Sequence, residues 1–117
     1  MEERRQFVRL DTRLEVSYAA LPSGKMEGAA TKDISGRGIC LFTQQVLAPG
    51  TRLQISMKLP DRERPVNFMA EVVWSEAYEM IGKTERRRSA ETGIRFVEVS
   101  AQDQAAIMHH VILSLKS

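Results

Sequence analysis

Val66, Phe68, Ala70, Val72 and Trp74 recur at every second position. An extended backbone places alternate side chains on one face, so this run predicts a strand with a single apolar face. The same period appears where Leu14, Val16 and Tyr18 alternate with Arg13, Glu15 and Ser17. It appears again where Leu53, Ile55, Met57 and Leu59 alternate with Arg52, Gln54, Ser56 and Lys58. Ile39 to Thr43 and Gly93 to Val97 read as shorter strands. Lys25 to Ile34 is poorly patterned through Ala29, Ala30, Thr31 and Lys32, as suits an edge or ligand-facing strand. Turn residues at Leu21-Pro22-Ser23-Gly24 and Pro49-Gly50, and a polar loop from Pro60 to Pro65, separate these runs. Six short strands at this spacing predict a sheet sandwich or a barrel, and closing a barrel removes exposed edges.

Two segments break the pattern. Glu76 to Glu91 is polar and contains Arg86-Arg87-Arg88, which reads as a solvated loop or as a contact for a phosphate or a partner. At the end of the chain, Ser100 and Asp103 are spaced as in a capping box. Beyond them Met108, Val111, Ile112 and Leu115 share a helical face, with Ile107 beside it. One amphipathic helix can cover an open barrel mouth or pack against a partner.

A chain of 117 residues with 43% hydrophobic and 27% charged residues is one globular domain able to bury a core. Its net charge of +2 argues against bulk nucleic-acid binding. Arg4, Arg5, Arg9 and Arg13 crowd the start, and Lys83 and Arg86 to Arg88 crowd a later stretch. Two local basic patches on a nearly neutral chain suit a small anionic ligand or an acidic surface. Cys40 is the only cysteine and lies in the apolar run Ile39-Cys40-Leu41-Phe42, where a buried, inert thiol is expected. The start leads into no secretory apolar stretch, and no run approaches the ~20 apolar residues of a membrane helix. The expected location is the cytoplasm, with no membrane insertion. His109 and His110 are adjacent, so they cannot share a metal from one helix face. No phosphate loop, zinc-protease pair or nucleophile elbow is present, so neither an enzyme, a metal site nor a cofactor is expected.

The candidate site lies in Asp33-Ile34-Ser35-Gly36-Arg37-Gly38. Asp33 and Ser35 are two apart and share a face on an extended backbone. Gly36 and Gly38 let the chain bend and leave its backbone open to a ligand. A carboxylate there suits a planar donor edge such as guanine N1–H and its exocyclic amine; alternatively, Asp and Ser bond their own turn. Upstream, Arg5 and Arg9 are four apart in Arg5-Gln6-Phe7-Val8-Arg9, and arginine pairs bidentately with phosphate or with the O6/N7 edge of guanine. Trp74 reads either as core packing or as a platform on which a purine stacks.

Arg-x-x-x-Arg followed by Asp-x-Ser-x-x-Gly, in this order and with strands around them, resembles the PilZ domain family over nearly the whole chain. The resemblance implies a mainly β fold, a six-stranded antiparallel β-barrel of split-barrel type with a C-terminal α-helix. It implies residues 1–12 as a flexible arm carrying the arginine motif and 13–117 as the barrel domain. It also implies a receptor for cyclic di-GMP that regulates a protein partner, with motility, biofilm or exopolysaccharide outputs. The ligand residues so implied are Arg4, Arg5, Arg9, Asp33, Ser35, Gly36, Gly38 and Trp74. Arg4 precedes the motif and bears on whether one or two ligands bind. Two other readings stand beside this one: a PilZ-like interaction module that binds no nucleotide, and a small barrel for single-stranded nucleic acid. The second needs a groove of interleaved basic and aromatic residues, whereas aromatic content is 6%.

Overall fold

The computed structural model describes residues 9–22, 24–35, 38–60, 62–81 and 86–116, with backbone alone for 9–10, 78–81, 86–88 and 114–116. Period-two runs become strands whose apolar faces turn inward. Leu53, Ile55 and Met57 are fully buried on β5 (Arg52–Met57), while Gln54 and Ser56 between them are half-buried. Val16 and Tyr18 do the same on β2 (Glu15–Ala20), and Val66, Phe68, Ala70 and Val72 on β6 (Val66–Ile81). The remaining strands are β1 (Arg9–Asp11), β3 (Glu27–Ser35), β4 (Gly38–Thr43) and β7 (Arg86–Val99), followed by the helix α1 (Ala101–Lys116).

Every pairing is antiparallel. The order runs β3-β2-β5-β6-β7-β4, and β4 pairs back onto β3, which closes a six-stranded barrel. β1 adds a seventh strand on β3, so the last three residues before Thr12 are sheet. β3 thus gives one edge to two strands: Glu27 to Ala30 pair with β2, and Asp33 to Ser35 pair with β1. Thr31 stitches the crossing. Its buried hydroxyl accepts from the Leu14 amide at 2.8 Å and donates to the Thr12 carbonyl at 2.5 Å. That hydroxyl satisfies backbone groups that a chain switching from β1 to β2 would leave unpaired.

Within the segment from Glu76 to Glu91, the described residues 76–81 and 86–91 are strand and not loop. β6 and β7 run through it as one hairpin, in register from Ser75↔Thr92 out to Ile81↔Arg86, and Arg86 to Arg88 are strand residues. Glu76 and Ala77 are exposed and Ser89 and Glu91 half-buried, so the described residues carry no apolar alternation, which is why the sequence looks like a loop.

α1 packs against β6, β1 and β3. The Ser100 hydroxyl accepts from the Asp103 amide at 3.0 Å, which caps the first turn. The Asp103 carboxylate accepts from the Asn67 amide of β6 at 3.4 Å, so the acidic partner of the cap faces the barrel. The buried seam is Ile107 and Val111, with Ala106 packed beside them. Ile112 and Leu113 are 50% and 49% exposed, so the apolar face expected through Ile112 is turned partly to solvent. The side chain of Leu115 lies outside the described residues. Among the described residues, no helix is long and apolar enough to cross a membrane.

Candidate functional site

Asp33 and Ser35 emerge together at the end of β3. Ile34 between them is fully buried, so the two polar side chains share the outer face. The β3–β4 register shifts between Thr31 and Asp33, leaving Lys32 as the extra residue before Asp33 meets Cys40. On the other edge Asp33 is in register with Asp11 of β1, and Ser35 with Arg9. The Ser35 hydroxyl donates to the Gly38 carbonyl at 3.4 Å, bonding its own turn. Gly38 has a reason beyond access for a ligand. A Cβ there would run into the Ile94 carbonyl of β7, which β4 approaches too closely for any side chain.

Trp74 does not share the core face of Val72. The β6–β7 register shifts between Val72 and Trp74, with Val73 as the extra residue. A bulge advances the pleat by one residue and reverses the facing of the residues beyond it. Val72 is 1% exposed, Val73 51% and Trp74 41%. The indole is seated on Gly93, its register partner, where a Cβ would overlap the ring. Asp33, Ser35, Gly38, Trp74, Gly93 and Arg95 line one open cleft of ≈ 230 Å³. Cys40 is buried beneath it, as expected for the thiol.

Of the eight candidate residues, Asp33, Ser35, Gly38 and Trp74 meet in this cleft. Arg9 is placed by its backbone opposite Ser35. Arg4, Arg5 and Gly36 lie outside the described residues. Sequence reasoning missed Gly93 and Arg95. A glycine inside a strand marks a close approach, and Arg95, two residues on, belongs to the same face. Arg95 pairs with Glu71, its register partner on β6, and half of its side chain remains exposed at the cleft.

Elsewhere on the sheet surface, charges are also organised across strands. Lys32 donates to Glu91 at 3.0 Å, and this hydrogen bond holds the ammonium pKa above its ordinary value. The Arg13 guanidinium lies 4.9 Å from the centre of the Phe42 ring, a cation–π contact on the outer sheet surface. Among the described residues, no three His, Cys, Asp or Glu side chains form a cluster able to hold a metal.

In sequence the chain matches the PilZ domain over residues 3–113. The chain belongs to the PilZ domain family. No curated protein matches it in sequence. Solved structures share the PilZ fold at low identity. The PilZ domain with c-di-GMP of YcgR from Escherichia coli is 20% identical, with a TM-score of 0.75 over 97% of this chain and 92% of that one. Bacillus subtilis inhibitor of motility MotI/DgrA is 24% identical, with a TM-score of 0.72 over 97% of this chain and 52% of that one. The K. pneumonia MrkH–c-di-GMP complex is 19% identical, with a TM-score of 0.70 over 98% of this chain and 54% of that one. This PilZ chain therefore spans about half the length of MotI/DgrA and MrkH.

Proposed function

We propose that this PilZ domain is a cytoplasmic receptor for cyclic di-GMP that regulates a protein partner and catalyses no reaction. The observation that carries the reading is that Asp33, Ser35 and Trp74 line one cleft, with the strand bearing Arg9 directly alongside. Bound c-di-GMP in the YcgR and MrkH neighbours supports it.

Each residue type answers one part of the ligand. Asp33 accepts from the Watson–Crick donors of guanine, an edge that adenine lacks. Trp74 offers an exposed ring beside that carboxylate, and stacking a base on it is worth ~1–3 kcal/mol. Arg5 and Arg9, from the arm entering β1, clamp phosphate or the O6/N7 edge of guanine. Arg4 and Gly36 complete the proposed set, Arg4 bearing on ligand number and Gly36 on the openness of the turn. Arg95 adds a cation at the rim. Binding draws the arm over the outer face of the barrel, and the altered surface is the signal. Motility, biofilm or exopolysaccharide outputs follow from the family.

Titration calorimetry tests this with cyclic di-GMP, cyclic di-AMP and a mixed single-stranded oligonucleotide. Cyclic di-GMP should bind with micromolar Kd or tighter, roughly −8 kcal/mol. Asp33→Ala should remove the preference over cyclic di-AMP. Recovery of the intact dinucleotide after incubation is expected. Equal affinity for the two dinucleotides overturns the reading, and no nucleotide binding at all leaves the domain as an interaction module.

A further inference from the structure

Among the described residues, Thr31, Thr43 and Thr92 are the buried polar side chains. Thr31 serves the crossing from β1 to β2, whereas Thr43 and Thr92 meet half-buried Ser75 at the root of the β6–β7 ribbon. The Leu47 amide donates to the Ser75 hydroxyl at 3.1 Å, and the Thr43 hydroxyl donates to the Gln45 carbonyl at 3.0 Å. A hydroxyl has one proton to give, so these two bonds fix the direction of the others. Thr92 donates to Thr43 at 2.9 Å, and Ser75 donates to Thr92 at 2.8 Å. The hydroxyl chain thus begins and ends on one loop, and each member gives one bond and takes one. None of the three side chains lines the cleft.

We propose that Thr43, Ser75 and Thr92 are positioning residues for Trp74: their hydroxyl chain selects the bulged register of β6 that turns the indole into the cleft. The consequence for dinucleotide affinity rests on the receptor reading; the cause rests on geometry alone. Ser75 meets Thr92 and Trp74 meets Gly93 because Val73 is the extra residue. Without it, Trp74 would keep the inward face of Val72 and Ser75 would point outward. Thr92 would then lose its donor, and the amide of buried Leu47 its acceptor. An orphaned buried amide is costly, and a fully satisfied polar chain specifies one arrangement where apolar packing would accept several. Other contacts do not make this choice. Backbone bonds with Gly50 and Thr51 anchor β6 at Val72, ahead of the bulge. Beyond it Glu76 and Ala77 are exposed, so their burial does not set the facing either. Gly93 leaves the seat open; the hydroxyls decide which residue takes it.

The test is Thr92→Val in the full chain, which nearly keeps the shape and removes the hydroxyl at the centre. Valine offers Ser75 no acceptor and offers an inward indole an apolar surface. Trp74 is the single tryptophan, so emission reads its position directly. Without ligand, emission should move to shorter wavelength and iodide quenching should fall. The nuclear Overhauser contact between the indole and Gly93 should disappear. Cyclic di-GMP affinity should fall roughly five- to 150-fold, the loss of one stacked base. Thr92→Ser keeps the hydroxyl and should restore every readout, which a packing role alone would not. Thr51→Val removes a hydroxyl bonded to the Ala48 carbonyl near the same loop and should change none of them. If Thr92→Val does not fold, Ser75→Ala, at a half-buried position, gives the same readouts. The proposal is overturned if the indole–Gly93 contact and the emission match wild type in the variant that folds, or if Thr92→Ser loses them as well. These readouts need no ligand, so a wild-type protein that fails to bind cyclic di-GMP overturns the receptor reading alone.

Discussion

The indole of Trp74 occupies the space that a side chain on Gly93 would fill. The two residues are register partners across β6 and β7, and the bulge at Val73 brings the ring out of the core to meet the glycine. The pose of the proposed stacking platform thus depends on a residue that contributes no side chain. Gly93→Ala should displace the ring. Cyclic di-GMP binding should then weaken as in Trp74→Ala, by about 1–3 kcal/mol, and tryptophan emission should shift. Unchanged affinity and emission in Gly93→Ala would show that the seat does not matter.

Gly38 faces a harder obstacle. A methyl there meets the Ile94 carbonyl, which is backbone and cannot rotate aside. Gly38→Ala should cost about 1–3 kcal/mol of stability through overpacking, read as a lower urea midpoint. A midpoint equal to wild type would mean that β4 and β7 separate at no cost.

Tyr18 is 2% exposed, and its hydroxyl has no hydrogen-bond partner among the described residues. An unsatisfied buried group is costly, so Tyr18→Phe should gain about 1 kcal/mol. Burial, and then the neighbouring Glu27, raise the phenol pKa above its ordinary 10.0. The folded protein therefore keeps this proton at a pH where the unfolded chain has lost it. Stability is unaffected below about pH 10 and falls as pH rises towards the raised value. Melting curves across that range should show a shallower alkaline loss in Tyr18→Phe. An identical slope in both proteins would remove Tyr18 as the cause.

The arm enters the sheet at Arg9, so β1 limits what a ligand has left to order. Fixing backbone costs ~1–2 kcal/mol per residue, and a charge-assisted hydrogen bond returns ~1.5–3 kcal/mol. Ordering is therefore favourable over a few residues ahead of β1 and not over a long arm. Amide exchange should slow at residues 5–8 when cyclic di-GMP is added, while Leu10 is protected in both states. Arg5→Ala and Arg9→Ala should each abolish measurable binding and melt near wild type. Protection that is equal with and without ligand would exclude ordering of the arm as the signal.

Much of this protein was legible in its residues alone. Alternation at Leu53, Ile55 and Met57, and again at Val66 to Val72, determined strand, face and core, because a period of two has only one apolar solution. The spacing of Asp33 and Ser35 determined a shared face for the same reason. Ser100 announced the start of the helix through local capping chemistry. These are signals in which a residue's neighbours along the chain are also its neighbours in space.

Tertiary structure decided the rest. Trp74 keeps the period of Val72 in sequence, yet the bulge at Val73 turns it outward, and a bulge exists only relative to the strand opposite. Gly93, Arg95 and the true constraint on Gly38 come from strands far away in sequence and have no local mark except a glycine. Glu76 to Glu91 has a loop's polarity because exposed Glu76 and Ala77 and half-buried Ser89 and Glu91 need no apolar alternation. Its backbone pairing alone makes it sheet. The sequence by itself determined which residues face inward where the alternation runs unbroken, as on β2, β5 and β6 up to Val72. Only closure of the barrel, through the pairing of β4 with β3 and β7, decided which outward residues became neighbours.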